Sequence, residues 1–248
     1  MSCSTRGTVA LRVFGVADVW SNYSGTNTFL SKQQRNQTRA HPRINDPTHK
    51  PSFRKDTMPN ELQGRTVALL IAPQGTEEPE FSEPKKAVEA AGATVHVVST
   101  KTGEVKTVNN DLEAGGSYTA DKTFSEVSAD DYDALIIPGG TVGADKLRGN
   151  PEAVAFIRSF FEQGKPVGAI CHAPWTLIEA GVLKGRKVTS YPTLQTDLRN
   201  AGAQWQDAEV VTDQGLVTSR NPDDLPAFCA KLVEEIGEGK HKGQSRSV

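Results

Sequence analysis

Hydrophobic runs and amphipathic stretches alternate along the chain from residue 65 onward. Continuous apolar runs, such as TVALLIA at 66–72 and ALII at 134–137, are typical of strands that are buried on both faces of a parallel sheet. Between such runs, NPEAVAFIRSFFEQGK at 150–165 places apolar residues at helical spacing behind an Asn150 cap. This alternation predicts an α/β fold in which helices cover both faces of a parallel sheet.

The rest of this region fits the same alternation. EPEFSEPKKAVEAAG at 78–92 predicts a helix that ends at Gly92. Pro84 is expected to kink or restart this helix, which places Glu80 in the turn before its main body. The other predicted elements are, in chain order, a strand (93–100), a short β-ribbon (103–127), a strand (166–170) that leads into a helix (171–181), a strand (186–191), a helix (192–202), a hairpin (208–220) and a final helix (222–237).

The first 60 residues differ from this region in pattern and in charge. They show no sustained helical or strand period after about Trp20, and they carry nine Lys or Arg against three Asp. They are expected to form a disordered basic extension, either an organellar transit peptide or, more simply, an over-long gene start with the true start near Met58. The folded domain is expected over residues 61–238, followed by a polar tail over 239–248.

Charge and cysteine content narrow the classes of partner. The net charge of the 248-residue chain is −2, so the basic extension leaves the remainder at −8, which argues against a nucleic-acid partner. The longest apolar runs fall far short of the roughly 18 residues needed to span a membrane. Three scattered cysteines fit neither a disulfide framework nor metal-ligand spacing, and they indicate a reducing, cytoplasmic location.

Cys171 is the leading candidate for chemistry. Ligands of open parallel sheets bind beyond the carboxyl ends of the strands. VGAICHAPWTLI at 167–178 places Cys171 at such a strand exit, on the turn that opens the next helix, as in a nucleophile elbow with cysteine in place of serine. Helix amides that point at the thiol favour its anion, so the pKa of Cys171 is expected to lie below its ordinary value. The alternative is a buried cysteine that only fills space.

Groups near this turn supply candidate partners for the thiol. His172 follows directly and is the leading candidate for a base, whereas His96 lies in a predicted strand and is expected to be structural. A second strand exit, IIPGGTVGADKLRG at 136–149, offers the amides of Gly139 and Gly140 for holding an oxyanion. A metal site is disfavoured, because the domain has only these two histidines and no spaced cysteine pair. Four acids follow the first strand, and one of them is expected to face the thiol: Glu77, Glu78, Glu80 and Glu83.

Two segments, DALIIPGG at 133–140 and AICHAPWTLIEAGVLKGRKVTSYP at 169–192, resemble the DJ-1/PfpI superfamily, and most closely its PfpI-like, general-stress-protein branch. The similarity runs from about Arg65 to Ile236. The resemblance implies a flavodoxin-like sandwich, similar to that of class I glutamine amidotransferases. It also implies a homodimer or higher homo-oligomer, and no cofactor.

The resemblance assigns roles by position. Cys171 matches the nucleophile of the family, and His172 matches the histidine that follows it. Glu80 matches the buried acid that hydrogen-bonds the thiol. The amides of Gly140 and His172 would form the oxyanion site, with Gly139 beside them.

One further acid is assigned in the same way. Asp145 falls where PfpI-like members place an acid that orients the histidine, often across a subunit interface. The loop TVGADKLRG is one residue longer here than in the shorter members, so the match of Asp145 to that acid is weaker than the matches of the other site residues. Cys229, on the predicted last helix, has no matching role and is expected to serve packing.

The family implies an enzyme that acts either on a small carbonyl or on a glycated or peptide substrate. A thiolate that attacks a carbonyl carbon beside backbone amides serves glyoxalase, deglycase and cysteine peptidase reactions alike. A pocket formed by an elbow, a PGG turn and an acid suits a small dicarbonyl better than a peptide. The alternative is a redox-sensing protective protein without turnover, in which Cys171 is oxidised. Glutamine amidotransfer is disfavoured, because TSRNPDDLPAF at 218–228 lacks the histidine that this activity requires.

Overall fold

The computed structural model describes residues 61–248, and the predictions for residues 1–60 lie outside this part of the chain. The strands are β1 (Thr66–Leu70), β2 (Gln74–Glu77), β3 (Thr94–Ser99), β4 (Gly103–Asn109), β5 (Glu113–Ala120), β6 (Lys122–Thr123), β7 (Ala134–Ile137), β8 (Val167–Ile170), β9 (Lys187–Val188), β10 (Gln204–Trp205), β11 (Val210–Asp213) and β12 (Leu216–Ser219). The α-helices are α1 (Glu78–Ala90), α2 (Thr141–Arg148), α3 (Pro151–Glu162), α4 (Pro174–Glu179), α5 (Gln195–Asn200) and α6 (Leu225–Glu238).

A seven-stranded sheet forms the centre of the domain, in the order β11-β12-β8-β7-β1-β3-β6. Its strand pairs are parallel except β11 with β12, which is an antiparallel hairpin. Because β7 and β8 are direct neighbours, the chain leaves both strands at the same edge of the sheet. The predicted parallel α/β sandwich is therefore confirmed, and the two strand exits singled out in the sequence are adjacent.

The alternation of side chains along the strands builds a core on each face of the sheet. Leu70 of β1 packs on one face in a cluster with Phe160 of α3. Leu69 points to the other face, in a cluster with Phe81 of α1 and Phe228 of α6. All five side chains are fully buried. Helices on both faces thus remove the central strands from water, which explains why their buried positions form continuous apolar runs such as residues 67–70.

Helix α1 corrects one prediction. Pro84 lies inside a continuous helix that begins at Glu78, so Glu80 belongs to the first helical turn and not to a separate turn before it. A proline inside a helix removes one backbone hydrogen bond and costs about 3 kcal/mol. The helix continues because Phe81, Pro84 and Val88 are all buried in the core, which holds this turn in place.

A small second sheet, in the order β2-β4-β5, lies at the start of α1. Two of the four acids that follow β1 fix it there. Glu77 accepts hydrogen bonds from the backbone amides of Asn110 (2.8 Å) and Asp111 (3.1 Å) in the turn between β4 and β5. Glu78 accepts one from the hydroxyl of Tyr118 on β5, at 2.8 Å. These acids therefore anchor a hairpin, which sequence reasoning did not anticipate.

The last ten residues pack on the domain. The amide of His241 donates to the carbonyl of Gly164 at 2.7 Å, and Gln244 is fully buried. The predicted boundary at residue 238 therefore falls inside the packed structure. Within residues 61–248, no helix combines the length and the apolar character needed to cross a membrane.

Candidate active site

Cys171 occupies a strained turn directly after β8. Its φ is +62°, a left-handed conformation that costs a non-glycine residue roughly 1–2 kcal/mol. Two backbone hydrogen bonds hold this conformation: the Cys171 amide donates to the Ser219 carbonyl at 3.1 Å, and the Tyr191 amide donates to the Cys171 carbonyl at 2.9 Å. The strain turns the side chain toward the neighbouring strand exit, although the residue remains only 6% exposed.

Glu80 approaches the thiol from α1. Its side chain is completely buried, and its Oε2 accepts a hydrogen bond from the Gly139 amide at 2.9 Å. Gly139 separates the two groups so closely that a Cβ atom there would lie 2.6 Å from Glu80 Oε2 and 2.7 Å from Cys171 Cβ. Burial raises the pKa of Glu80 to about 8, against the opposing effects of the Cys171 thiol and the Gly139 amide. The carboxyl group therefore keeps its proton at pH 7.

The pKa of Cys171 corrects a second prediction. Burial, and next the charge of Glu80, raise the pKa of this thiol well above its ordinary value. Hydrogen bonds from the amides of Gly140 and His172 act in the opposite direction but do not prevail. The prediction of a lowered pKa was wrong, because it counted the favourable amides and missed the cost of burying a thiolate beside a carboxyl group.

His172 lies against the thiol. Its Nδ1 is 3.1 Å from Cys171 Sγ, and the left-handed turn at Cys171 is what allows neighbouring residues to meet in this way. The ring stacks on Tyr191, with 4.8 Å between the centroids, and lies 5.2 Å from the ring of Trp175. Burial lowers the pKa of His172, and Asp111 partly offsets this effect. The imidazole is therefore uncharged at neutral pH and can accept a proton.

Two residues that sequence reasoning missed lie behind the histidine. His172 Nε2 is 3.4 Å from the hydroxyl oxygen of Thr141, and this hydroxyl donates to Asp111 Oδ2 at 2.8 Å. The amide of Thr141 also donates to Asp111 Oδ1, at 2.6 Å. Asp111 lies in the turn between β4 and β5, 60 residues before Cys171 in the sequence, and no local motif links the two positions.

Asp145 is not brought to the site in this chain. It lies on α2 with a side chain that is 60% exposed, and it pairs with Arg148 one turn further along at 2.9 Å. Asp111 occupies the place behind His172 instead. A role for Asp145 in the site of a neighbouring subunit stays a prediction.

The two glycines of the PGG turn do different things. The Gly139 amide is already used by Glu80, so it is not free for an oxyanion, whereas the Gly140 and His172 amides point at Cys171 Sγ. Gly140 has a φ of +85°, and a Cβ atom there would lie 2.2 Å from the Gly75 carbonyl oxygen. Only glycine fits this position.

Gly140→Ala is therefore expected to lower any carbonyl turnover by about 100-fold, because the displaced turn moves one oxyanion donor. It should also slow Cys171 alkylation, because the Gly140 amide favours the thiolate. The strain should also lower the free energy of unfolding by roughly 1–3 kcal/mol. Gly149→Ala is the matched control: its φ is −75°, and a Cβ atom there would meet its nearest contact, the Asp145 carbonyl oxygen, at 3.4 Å. Urea unfolding and iodoacetamide kinetics measure both effects, and equal behaviour of the two variants would contradict the prediction.

The remaining candidates lie away from the thiol. His96, on β3, packs edge-on against Tyr132. Cys229 is half-buried on α6, and burial raises its pKa to about 12. Within the described residues, one group has metal-ligand spacing, and it involves α6 and the C-terminal segment: Glu235, Glu238 and His241. Glu235 and His241 already pair with each other at 3.2 Å.

The chain was compared with known proteins. The sequence model of the DJ-1/PfpI family matches residues 65–235. A deglycase of Thermococcus kodakarensis is 42% identical over 166 residues, which cover 67% of this chain and 96% of the deglycase. The YraA protein of Bacillus subtilis, named as a candidate cysteine protease, is 43% identical over 164 residues, 66% of this chain and 94% of that protein.

A solved structure shows the same fold. It is a two-domain protein of Anabaena variabilis with DJ-1/ThiJ/PfpI-like and ferritin-like domains. The match has a TM-score of 0.65 at 38% sequence identity, and it covers 70% of this chain and 48% of that one.

Proposed function

The chain belongs to the DJ-1/PfpI family, and we propose that it is a cysteine-dependent enzyme of this family that acts on small reactive carbonyl compounds. The observation that carries the proposal is the arrangement around Cys171 Sγ: an uncharged base at 3.1 Å, two backbone amides, and a buried carboxyl group that keeps its proton. The deglycase among the relatives supports this substrate class.

The first step is addition of the thiol to the carbonyl carbon. His172 Nδ1 takes the proton as the bond between Sγ and the carbonyl carbon forms. The carbonyl oxygen becomes an oxyanion, and the amides of Gly140 and His172 stabilise it. Proton return from His172 to this oxygen gives a neutral hemithioacetal, so the buried site holds no lasting extra charge.

The second step needs a proton that moves between two carbons. Glu80 Oε2 is fixed by the Gly139 amide, whereas Oε1 is buried and makes no hydrogen bond within the described residues. Oε1 is thus the oxygen that exchanges protons with the substrate. The protonated carboxyl group first gives its proton to the keto oxygen of the bound 2-oxoaldehyde, and the carboxylate so formed takes the proton from the aldehyde carbon, which leaves an enediol. The carboxyl group then returns this proton to the keto carbon and takes the hydroxyl proton of the first carbon. The first carbon thereby becomes a thioester, the second becomes an alcohol, and Glu80 is protonated again. Water then releases a 2-hydroxy acid and restores the thiol.

Peptide hydrolysis fits the site less well. A peptide needs an open groove beside the nucleophile, but Cys171 and His172 are each only 6% exposed. A cleft of about 560 Å³ does open beyond Trp175, lined also by Arg148, Ile178 and Asp197 among others, but Cys171 is not part of its wall. Because the Bacillus subtilis relative is named as a candidate cysteine protease, peptide cleavage is one of the activities that the experiment below measures.

A redox sensor without turnover also fits less well. Such a sensor depends on an accessible thiolate, because the thiolate is the form that peroxide oxidises. Cys171 is buried, and its pKa is raised. Both facts favour an enzyme in which the thiolate forms only as it attacks the bound carbonyl.

The test is turnover by the full chain with methylglyoxal, a glycated peptide and an unmodified fluorogenic peptide. We expect methylglyoxal to disappear while lactate appears in equal amount, with no cleavage of the fluorogenic peptide. Cleavage of this peptide without aldehyde consumption would establish the peptidase instead. If no substrate reacts while peroxide converts Cys171 selectively to sulfinic acid, the protein is a sensor and the proposal fails.

The raised pKa values predict the pH dependence of Cys171 alkylation. Since the thiolate is the reactive form and burial raises the pKa of Cys171 well above its ordinary value, the rate with iodoacetamide should be low at neutral pH and should still be rising where an exposed thiol has already reached its plateau. Mass spectrometry of the separate cysteine peptides gives the rate at Cys171 alone. A rate that is already constant below pH 7 would show a stabilised thiolate and contradict the prediction.

A further inference from the structure

We infer that Asp111, acting through the hydroxyl of Thr141, is a positioning residue that sets the tautomer of His172 and so makes its Nδ1 the base for Cys171. The inference rests on the proposed function only in giving His172 a catalytic task. It assigns to this chain an internal acid for the histidine, 34 residues before Asp145 in the sequence and in a different loop.

The hydrogen-bond directions fix the tautomer. The Thr141 hydroxyl has a single proton, and at 2.8 Å it donates this proton to the carboxylate of Asp111. Its oxygen can therefore only accept from His172 Nε2, which lies at 3.4 Å. With the ring proton on Nε2, the lone pair is on Nδ1, and Nδ1 faces Cys171 Sγ at 3.1 Å. The neutral ring is thus oriented to accept the thiol proton.

The carboxylate of Asp111 is held for this task. Its residue has a φ of +62°, and its amide donates to Glu77 Oε2 at 3.1 Å, while the preceding amide, of Asn110, donates to Glu77 Oε1 at 2.8 Å. Glu77 is itself only 6% exposed. The turn between β4 and β5 is therefore clamped to the start of α1, which fixes the carboxylate against Thr141.

Among the charged groups, Asp111 is the one whose charge raises the pKa of His172, against the effect of burial. The nearest cation on the neighbouring helix, Arg148, lies over the ring of Trp175, 4.7 Å from its centroid. The His172 ring stacks on Tyr191, lies beside the tilted ring of Trp175 and meets Cys171 at Nδ1, with Glu80 beyond the thiol. When Nδ1 accepts the thiol proton, the ring becomes positively charged. The negative charge of Asp111 stabilises this cation through the intervening hydroxyl, and the contact at 3.4 Å is expected to shorten in that state.

Asp111 also has a structural task. The experiment must separate this task from the action of Asp111 on His172 through the Thr141 hydroxyl. Its Oδ1 accepts from the amide of Thr141, the first residue of α2, so it caps this helix from another loop. Thr141→Val separates the two tasks. Valine keeps the amide that binds Asp111 and the branched shape, but it removes the hydroxyl that contacts His172.

The experiment compares full-chain variants by two readouts that need no carbonyl turnover: the ¹⁵N spectrum of the His172 imidazole, and the pH profile of Cys171 alkylation. The chain has five histidines, so the His172 signal is assigned with His172→Gln. For Thr141→Val we expect the proton to spread over Nδ1 and Nε2, the pKa of His172 to fall, and alkylation at pH 7 to slow about tenfold. The thermal midpoint should stay within a few degrees, because the cap on α2 remains.

Two further variants complete the design. Thr141→Ser restores the hydroxyl and should behave as the wild type, whereas Asp111→Asn should reproduce the loss seen with Thr141→Val. Asp145→Asn is the matched control and should leave the imidazole spectrum unchanged. A wild-type spectrum and rate in Thr141→Val would overturn the inference, and so would an effect confined to Asp145→Asn. If Thr141→Val and Asp111→Asn change the imidazole spectrum as expected but the wild type consumes no carbonyl, the proposed function fails and the positioning role of Asp111 stands.

Discussion

Replacing Cys171 with serine is expected to abolish carbonyl turnover, with a fall of about 10⁴-fold or more in kcat/KM. A hydroxyl is far less acidic than a thiol, and its only neighbouring base is an uncharged imidazole whose pKa burial lowers. Glu80 adds no compensation, because its carboxyl group is protonated at pH 7. The measurement is methylglyoxal loss together with lactate formation at equal protein concentration.

The chain offers a matched control for this substitution. Cys229 lies half-buried on α6, away from the strand exits, so Cys229→Ser removes a thiol without touching the site. It should retain at least half of the wild-type activity. If Cys171→Ser also retained activity, the reaction would not use the thiol, and the proposal of a cysteine-dependent enzyme would be wrong.

The positions of the two strand exits could be predicted because strand order and burial leave a direct record in the sequence. Fully apolar runs such as 134–137 and 167–170 indicate central parallel strands, and neighbouring strands of this kind end at one edge of the sheet. Cys171, Gly139 and Gly140 follow these runs immediately. Their proximity was therefore implied by the pattern alone.

The partners contributed by other parts of the chain were harder to predict. Asp111 lies on a hairpin that folds back over α1, and its contact with Thr141 depends on the Glu77 clamp, which has no periodic signal. The same four acids after β1 turned out to have different tasks: Glu77 and Glu78 hold the hairpin, Glu80 faces the thiol, and Glu83 pairs with Lys86 on the surface. Which acid faces inward depends on where α1 begins. The pattern alone left this choice open, and Pro84 led to the wrong start for the helix.

The burial of Glu80 leads to the second large expected effect, which is on stability. The carboxyl group titrates near 4.5 when unfolded and near 8 when folded, so the folded state holds a proton that the unfolded state releases between these values. The stability contribution is therefore complete below pH 4.5 and is lost as the pH rises toward 8. At about 1.4 kcal/mol per pKa unit, the loss reaches roughly 3 kcal/mol at pH 7.

Glu80→Gln should remove this loss and raise the free energy of unfolding at pH 7 by about 2–3 kcal/mol, since the amide keeps an acceptor for Gly139 but does not ionise. The pH dependence is the sharper readout: variant and wild type should converge near pH 4.5 and diverge up to about pH 8. Urea unfolding across this range measures it. Glu83→Gln, on the exposed side of the same helix, is the control and should change stability by less than about 0.5 kcal/mol.

The same substitution should lower carbonyl turnover by about 100-fold or more, because an amide cannot pass a proton between two carbons of the substrate. Greater stability with less activity is the combination expected of a buried carboxyl group that is kept for catalysis and costs stability. A merely structural Glu80 would give the opposite pairing, since removing a needed buried group lowers stability and leaves chemistry intact. Parallel curves of stability against pH for Glu80→Gln and wild type would show that Glu80 ionises normally in the folded protein, and the proton-transfer role would then have no basis.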